Sequence, residues 1–322
     1  MNKIWAITCL FNPSGFSRRL QNYRVFMKNL TVPLATVELS YNGKFVLEDG
    51  DADLLIRLNT GDVLWQKERL LNLLIDAVPD TCEYIAWLDC DVVFENRDWP
   101  EQAIKAFERY SVLHLFEKRV DLPSEATERN IPEEADDFVP ILQRPSAGYQ
   151  VIHGGSVEGD FLRTSGQAQT TTGLAWAASR ELLQKHHLHD TCIAGGGDRL
   201  NFASAMGWFD LAAGFHQMTG PRLEHYLSWA RKLYKDTQGR VGYVSGRLFH
   251  LWHGDLRDRR YLSRFSILPD NDFDPHTDIA LDEQGAWKWA SDKPDMHRRL
   301  REYFPKRLED GRRVRVSSET TA

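Results

Sequence analysis

No stretch of about 18 consecutive apolar residues occurs in the 322-residue chain, which on pattern excludes a helical membrane span. The apolar opening Met1–Leu10 is too short for a secretory leader and has no cleavage site. Cysteine is scarce. Cys9, Cys82, Cys90 and Cys192 form no Cys-x-x-Cys pair, so a disulfide scaffold is not expected and the thiols are read as reduced. Internal repeats and low-complexity tracts are lacking, which excludes solenoids. A P-loop is missing too, because Gly195-Gly196-Gly197 runs into Asp198 rather than into Lys and Ser or Thr. These absences predict a soluble, cytoplasmic protein.

What is present can build a full core: 42% of residues are hydrophobic, enough for one large domain or a domain with an added part. Ten tryptophans suit stacking on the C–H faces of sugars as well as a core. The net charge of −6 is uneven. Residues 1–160 carry 16 Lys and Arg against 26 Asp and Glu, and residues 161–322 carry 24 against 20, so attraction for a polyanion belongs to the second half.

Ile4–Leu10 reads as a strand, Asn12–Gly15 as a turn, Phe16–Leu30 as a helix and Leu34–Leu39 as a second strand. This β-turn-α-β order opens a Rossmann-like unit whose first loop is a natural nucleotide contact. Further helices are predicted over Trp65–Ala77, Trp99–Tyr110, Gly173–Gln184 and Leu200–Met206, with a helical region over Trp287–Phe304. Strands are predicted over Ile85–Leu88, Ser111–Phe116 and Leu248–Trp252. Residues 121–170, dominated by Pro, Gly, Ser, Thr and acidic residues, read as a loop-rich insertion.

One segment carries more chemistry than the rest. Tyr84-Ile85-Ala86-Trp87-Leu88 is an apolar run without helical period, and it stops at Asp89-Cys90-Asp91. A buried strand ending this way puts two carboxylates at the carboxyl edge of a sheet, where open α/β folds bind ligands. Carboxylates so close repel unless a cation lies between them, and hard divalent cations keep open positions for diphosphate oxygens. The plain alternative is a strand-to-turn junction with Asp as a cap.

With its neighbours this segment resembles the Asp-x-Asp motif of GT-A nucleotide-sugar glycosyltransferases, of the glycosyltransferase 2-like and β-1,4-galactosyltransferase-like kinds. The other resembling stretches follow in the family's order: Trp65–Asn72, Gly173–Leu183, Gly195-Gly196-Gly197-Asp198 and His250-Leu251-Trp252-His253-Gly254. The resemblance implies an α/β, Rossmann-like GT-A fold over residues 1–265, with a mostly parallel central sheet and flanking helices. Residues 1–118 would bind the nucleotide sugar, 121–170 form the insertion, 171–265 carry the acceptor and metal part, and 266–322 form a helical C-terminal extension with a basic tail. Many eukaryotic members carry a membrane anchor, and none is visible here, which points to a bacterial or viral source.

The resemblance also implies roles. Asp91 is the first metal ligand, and Asp89 the second or a contact to the ribose. A late histidine completes the site. His250 and His253 stand three apart and are expected on opposite faces, and His253 is chosen because Gly254, Asp255 and Arg264-Phe265 follow it as in the β-1,4-galactosyltransferases. Mn²⁺, or else Mg²⁺, is the implied ion, with imidazole favouring manganese. Asp198 is the general base toward an acceptor hydroxyl, or a plain helix N-cap. Lys67 and Asn72 match contacts to uracil or diphosphate, with a solvated helix face as the alternative. Asn12 and Arg19, near the first loop, are further candidates for base or diphosphate, and Trp176 for stacking on the acceptor or for the core.

The expected activity is metal-dependent transfer of a sugar from a nucleoside diphosphate sugar, first of all a uridine diphosphate sugar, to a hydroxyl acceptor with inversion. A saccharide acceptor is expected. The alternatives are a hydroxymethylated base of viral DNA, gripped by the basic run Arg298–Arg315, and a non-catalytic nucleotide- or glycan-binding protein. His186, His187 and His189 lie at a helix end and are read as structural.

Overall fold

The computed structural model describes residues 3–161, 168–259 and 264–312. Seven strands form the central sheet: β1 (Ile4–Phe11), β2 (Leu34–Ser40), β3 (Leu54–Asn59), β4 (Tyr84–Leu88), β6 (Val112–His114), β9 (Ala175–Ser179) and β10 (Val241–Tyr243). Their order across the sheet is β10-β6-β9-β4-β1-β2-β3. All pairings are parallel except those of β9, which runs antiparallel between β4 and β6. The expected α/β architecture with a mostly parallel sheet is therefore present. β2 is buried along its whole length and β1 at seven of its eight residues, as strands covered on both faces must be.

Helices cover the sheet. α1 (Ser17–Asn29) and α3 (Trp99–Ala106) lie with one apolar cluster, in which Tyr23, Phe26 and Trp99 are buried. α2 (Lys67–Ala77), α5 (Arg180–His186), α6 (Gly197–Met206), α7 (Phe209–Phe215) and α8 (Gly220–Thr237) pack with the other. α1 has no side-chain cap of its own. Asp310 supplies one from the far end of the chain, accepting from the backbone N–H groups of Ser17 (3.0 Å) and Arg18 (2.8 Å).

Three expectations are corrected. Gly173–Gln184 is not one helix: Ala175–Ser179 is β9, and the helix begins only at Arg180. Residues 121–170 are not uniformly loop. β7 (Lys118–Asp121) and β8 (Leu142–Pro145) join β5 (Val92–Phe94) and β11 (Arg247–His250) in a second sheet of order β5-β11-β7-β8, and α4 (Ala147–Ile152) follows. Trp287–Phe304 begins as a strand. β12 (Ile279–Leu281) and β13 (Trp287–Trp289) form a hairpin, and only Pro294–Tyr303 is helical, as α9.

Candidate active site

The ends of β1, β4 and β11 and the first turns of α2 and α6 surround a cavity of about 700 Å³. A parallel sheet opens its ligand crevice at this carboxyl edge.

Asp91, His250 and His253 converge on one wall, with ligand atoms all within 4.8 Å of one another. His253 Nε2 lies 3.1 Å from Asp91 Oδ2, His250 Nε2 lies 3.8 Å from Asp91 Oδ1, and the two Nε2 atoms are 3.2 Å apart. A carboxylate backs each ring. Asp121 Oδ1 is 3.0 Å from His250 Nδ1, and Glu309 Oε1 is 3.3 Å from His253 Nδ1. A carboxylate at Nδ1 draws the proton there and leaves the Nε2 lone pair facing the cavity. Burial, and then Arg259, hold His253 well below the ordinary histidine range, so its ring is neutral. Burial pushes the Asp91 carboxyl up, and its Oδ1 is buried without a hydrogen-bond partner.

One orphaned oxygen and two imidazole nitrogens make a donor set that fits a divalent cation such as Mn²⁺. Arg259 Nη2 stands 2.8 Å from His253 Nε2, so the guanidinium must withdraw before His253 can ligate. The two histidines share a side, against expectation. The chain leaves β11 after His250, buries Leu251 completely, and turns back at His253.

Asp89 does not join this cluster. Its Oδ1 is 2.5 Å from Lys67 Nζ, and the same ammonium donates to Asp198 Oδ2 at 2.9 Å and Oδ1 at 3.1 Å. Lys67 therefore clamps two carboxylates instead of presenting a free charge to a nucleotide. A lysine only 7% exposed needs such partners, since an unpaired buried charge is expensive. Burial pulls its pKa down, and Asp198 and Asp89 more than reverse the effect. Asp198 itself is raised by burial against the pull of Lys67. Beside it, Glu68 is pushed up to about 8 by burial, again opposed by Lys67, and its Oε1 has no partner.

Asp198 reaches this place through glycine. Gly195 and Gly196 have φ of +81° and +94°, and a Cβ on Gly196 would stand 2.6 Å from His216 and 2.8 Å from Phe265. Arg19 lines the cavity with its Nε 2.7 Å from Glu309 Oε2.

Three other candidates lie elsewhere. The Asn12 amide closes its own turn, accepting from Phe16 N at 3.0 Å and donating to Phe16 O at 2.7 Å. Asn72 is buried and spends its amide on the Leu188 backbone and Asp190, joining α2 to a loop. Trp176 is a core residue, 2% exposed and stacked on His114 with ring centroids 3.4 Å apart. It cannot meet an acceptor.

Sequence reasoning missed Glu68, Asp121, Arg259 and Glu309. Glu309 sits inside a basic run with no motif around it, and only the fold brings it to His253. Fold and site together define an α/β protein with a charged crevice at the carboxyl edge of its parallel sheet, one wall of which carries a cation-ready Asp-His-His cluster.

No family model and no curated protein matches the sequence. Among solved structures, the S. aureus TarS fragment 1–349 aligns over 83% of this chain and 64% of its own, at 10% identity and a TM-score of 0.41. The catalytic domain of Drosophila β1,4-galactosyltransferase 7, in complex with xylobiose, aligns over 76% of this chain and 65% of its own, at 11% identity and a TM-score of 0.30. The 4-diphosphocytidyl-2C-methyl-D-erythritol synthase of Anaerococcus prevotii aligns over 76% and 86%, at 10% identity and a TM-score of 0.32. The chain thus spans less than two thirds of the first two. Overlaps this partial carry no functional argument, which rests on the residues of the site.

Proposed function

We propose that the protein is a metal-dependent glycosyltransferase. It moves a sugar from a nucleoside diphosphate sugar, with uridine the first choice of base, to a hydroxyl of a saccharide acceptor with inversion. The supporting observation is the Asp91–His250–His253 cluster, backed by Asp121 and Glu309, in the same cavity as Asp198. Mn²⁺, or Mg²⁺, held by these three residues would supply the charge that offsets the departing diphosphate.

The chain's own residues do the rest. Asp198 takes the proton of the acceptor hydroxyl as its oxygen forms the new bond to the anomeric carbon and the bond to the diphosphate breaks. Lys67 fixes the Asp198 carboxylate from one side, leaving its other lone pairs for the hydroxyl. Asp89, with its side chain 28% exposed, keeps an oxygen for the ribose.

The test is a thermal-shift panel of nucleoside diphosphates with and without Mn²⁺. Uridine diphosphate should stabilise most, and only with the metal. Asp91→Asn should abolish that stabilisation and sugar transfer while retaining the fold; a variant that keeps both would overturn the reading.

A further inference from the structure

Lys67 answers two of the three carboxylates around it and leaves the third without a cation. Its ammonium N–H groups go to Asp89 Oδ1 and to both oxygens of Asp198. Glu68, the next residue of α2, lines the same cavity and is only 2% exposed. Its Oε1 is buried without a hydrogen-bond partner, and no ion pair reaches the carboxyl among the described residues.

The fold makes room for this side chain. Gly197 opens α6 directly before Asp198, and its φ lies outside the left-handed region, so its backbone does not call for glycine. Glu68 does. A Cβ on Gly197 would overlap Glu68 Oε1 and Cδ and stand 2.7 Å from its Cγ. The carboxyl is thus pressed against the backbone that carries Asp198.

The titratable groups facing Glu68 are Lys67 beside it in α2, Asp198 in α6, Asp89 after β4, Cys9 on β1 and Cys192 before α6. Burial pushes both thiols well up, so they are neutral. Three ionised carboxylates against one ammonium would leave two negative charges in the wall, and a buried charge without a partner is expensive. A proton on one carboxyl removes half of that excess. Asp89 and Asp198 are bonded to Lys67, and Glu68 is not, so the proton belongs on Glu68. Its elevation to about 8, by burial and against the pull of Lys67, agrees.

We infer that Glu68 is a positioning residue for Asp198: it keeps a proton in the resting protein, so that the Lys67 ammonium is left to Asp89 and Asp198 and Asp198 stands ionised before the acceptor hydroxyl. The role rests on the glycosyltransferase reading, which makes Asp198 the base. Glu68 acts through Asp198 rather than on the substrate. Ionised, it would compete for Lys67 and set a second negative charge beside Asp198.

Full-length, metal-free protein titrated by infrared spectroscopy tests this, with wild type compared to Glu68→Gln and to Asp198→Asn. At about pH 6.5, wild type minus Glu68→Gln should show the C=O stretch of a protonated carboxyl, giving way to carboxylate bands as pH passes about 8. Wild type minus Asp198→Asn should show carboxylate bands at the same pH. In Asp198→Asn the Glu68 midpoint should fall by at least about one pH unit, because a like charge is gone and Lys67 is freed; a carboxyl raised by burial alone would not move. Glu68→Gln should also gain urea stability over the wild type as pH rises from about 5 to about 8, since a carboxyl raised in the folded state costs free energy above its unfolded value. An ionised Glu68 at about pH 6.5, a proton on Asp198 instead, or a Glu68 midpoint indifferent to Asp198→Asn overturns the inference. If Glu68→Gln does not fold, the Asp198→Asn comparison still reads which carboxyl holds the proton. Neither donor nor metal enters these spectra. A lack of metal-dependent stabilisation by uridine diphosphate would therefore sink the glycosyltransferase reading and leave the placement of the proton to be decided by the titration.

Discussion

Lys67 holds two carboxylates that nothing else among the described residues holds together. Replacing it with Met leaves the half-buried Asp89 and Asp198 beside buried Glu68 with no ammonium between them, and a loss of up to about 3 kcal/mol is expected, below that of fully buried broken pairs. Urea denaturation at pH 8 measures it, and the loss should be smaller at pH 5, because burial raises Glu68 and Asp198 toward protonation. Titration of the wild type has a definite sign as well. Burial holds His114, His189, His216, His225, His253 and His297 below the ordinary histidine value, so each takes up a proton on unfolding as pH falls through about 6.5. Glu68, Asp91, Asp190 and Asp198 are raised, bind protons first in the folded state, and act the other way. Between pH 7 and pH 5.5 the ordinary histidine value lies inside the range and the ordinary carboxylate value below it, so the histidines of the unfolded chain set the sign. The urea midpoint of metal-free protein should be lower at pH 5.5 than at pH 7; a higher one would mean that the imidazoles are already charged in the folded state. At this scale motif order singled out Asp91, His250, His253 and Asp198, and the fold brings all four to the lining of one cavity. It could not place Asn72 or Trp176, whose alternatives as core residues differ only in which way the side chain faces.

β9 shows how elements escape sequence reading. Ala175-Trp176-Ala177-Ala178 has no β-branched residue, and alanine favours helix. Tertiary context decides otherwise, because the strand fills the gap between β4 and β6, with Trp87 and His114 opposite Trp176 and only small side chains fitting beside them. β7 was hidden for a different reason: its partner β11 lies more than 100 residues away, a pattern of local composition reports nothing of it, and β8 pairs only with β7. α8 was findable, since Arg222, Tyr226, Ala230, Leu233 and Thr237 recur at helical spacing. Close packing between elements gives another test. A Cβ on Gly148 of α4 would meet the Gly242 carbonyl of β10 at 2.4 Å. Gly148→Ala should cost about 1–3 kcal/mol, as overpacking does, measured by urea denaturation; an unchanged midpoint would show that α4 can shift away from the sheet.

Over the whole molecule, charge is arranged more locally than the basic run at the end of the sequence implies. Arg298 pairs with Asp295 and Glu302, Arg299 with Asp270, and Arg312 with Asp258, while Arg313 and Arg315 lie outside the described residues. With these charges already answered and a net charge of −6, the protein should show little affinity for duplex DNA outside the cavity. Fluorescence anisotropy across a salt series checks this, and tight binding that weakens steeply with salt would contradict it. The reach of Glu309 and Asp310 back to His253 and to the start of α1 has a consequence for how the molecule is made. Synthesis proceeds from residue 1, so the parallel strands β1 to β4 can pair long before residue 310 leaves the ribosome. Until then His253 lacks the carboxylate behind it and α1 lacks its cap. A chain clipped just before Glu309 would thus keep its sheet but leave His253 and the start of α1 unsupported, so the Asp91–His250–His253 cluster takes its final form only once translation has run to that point.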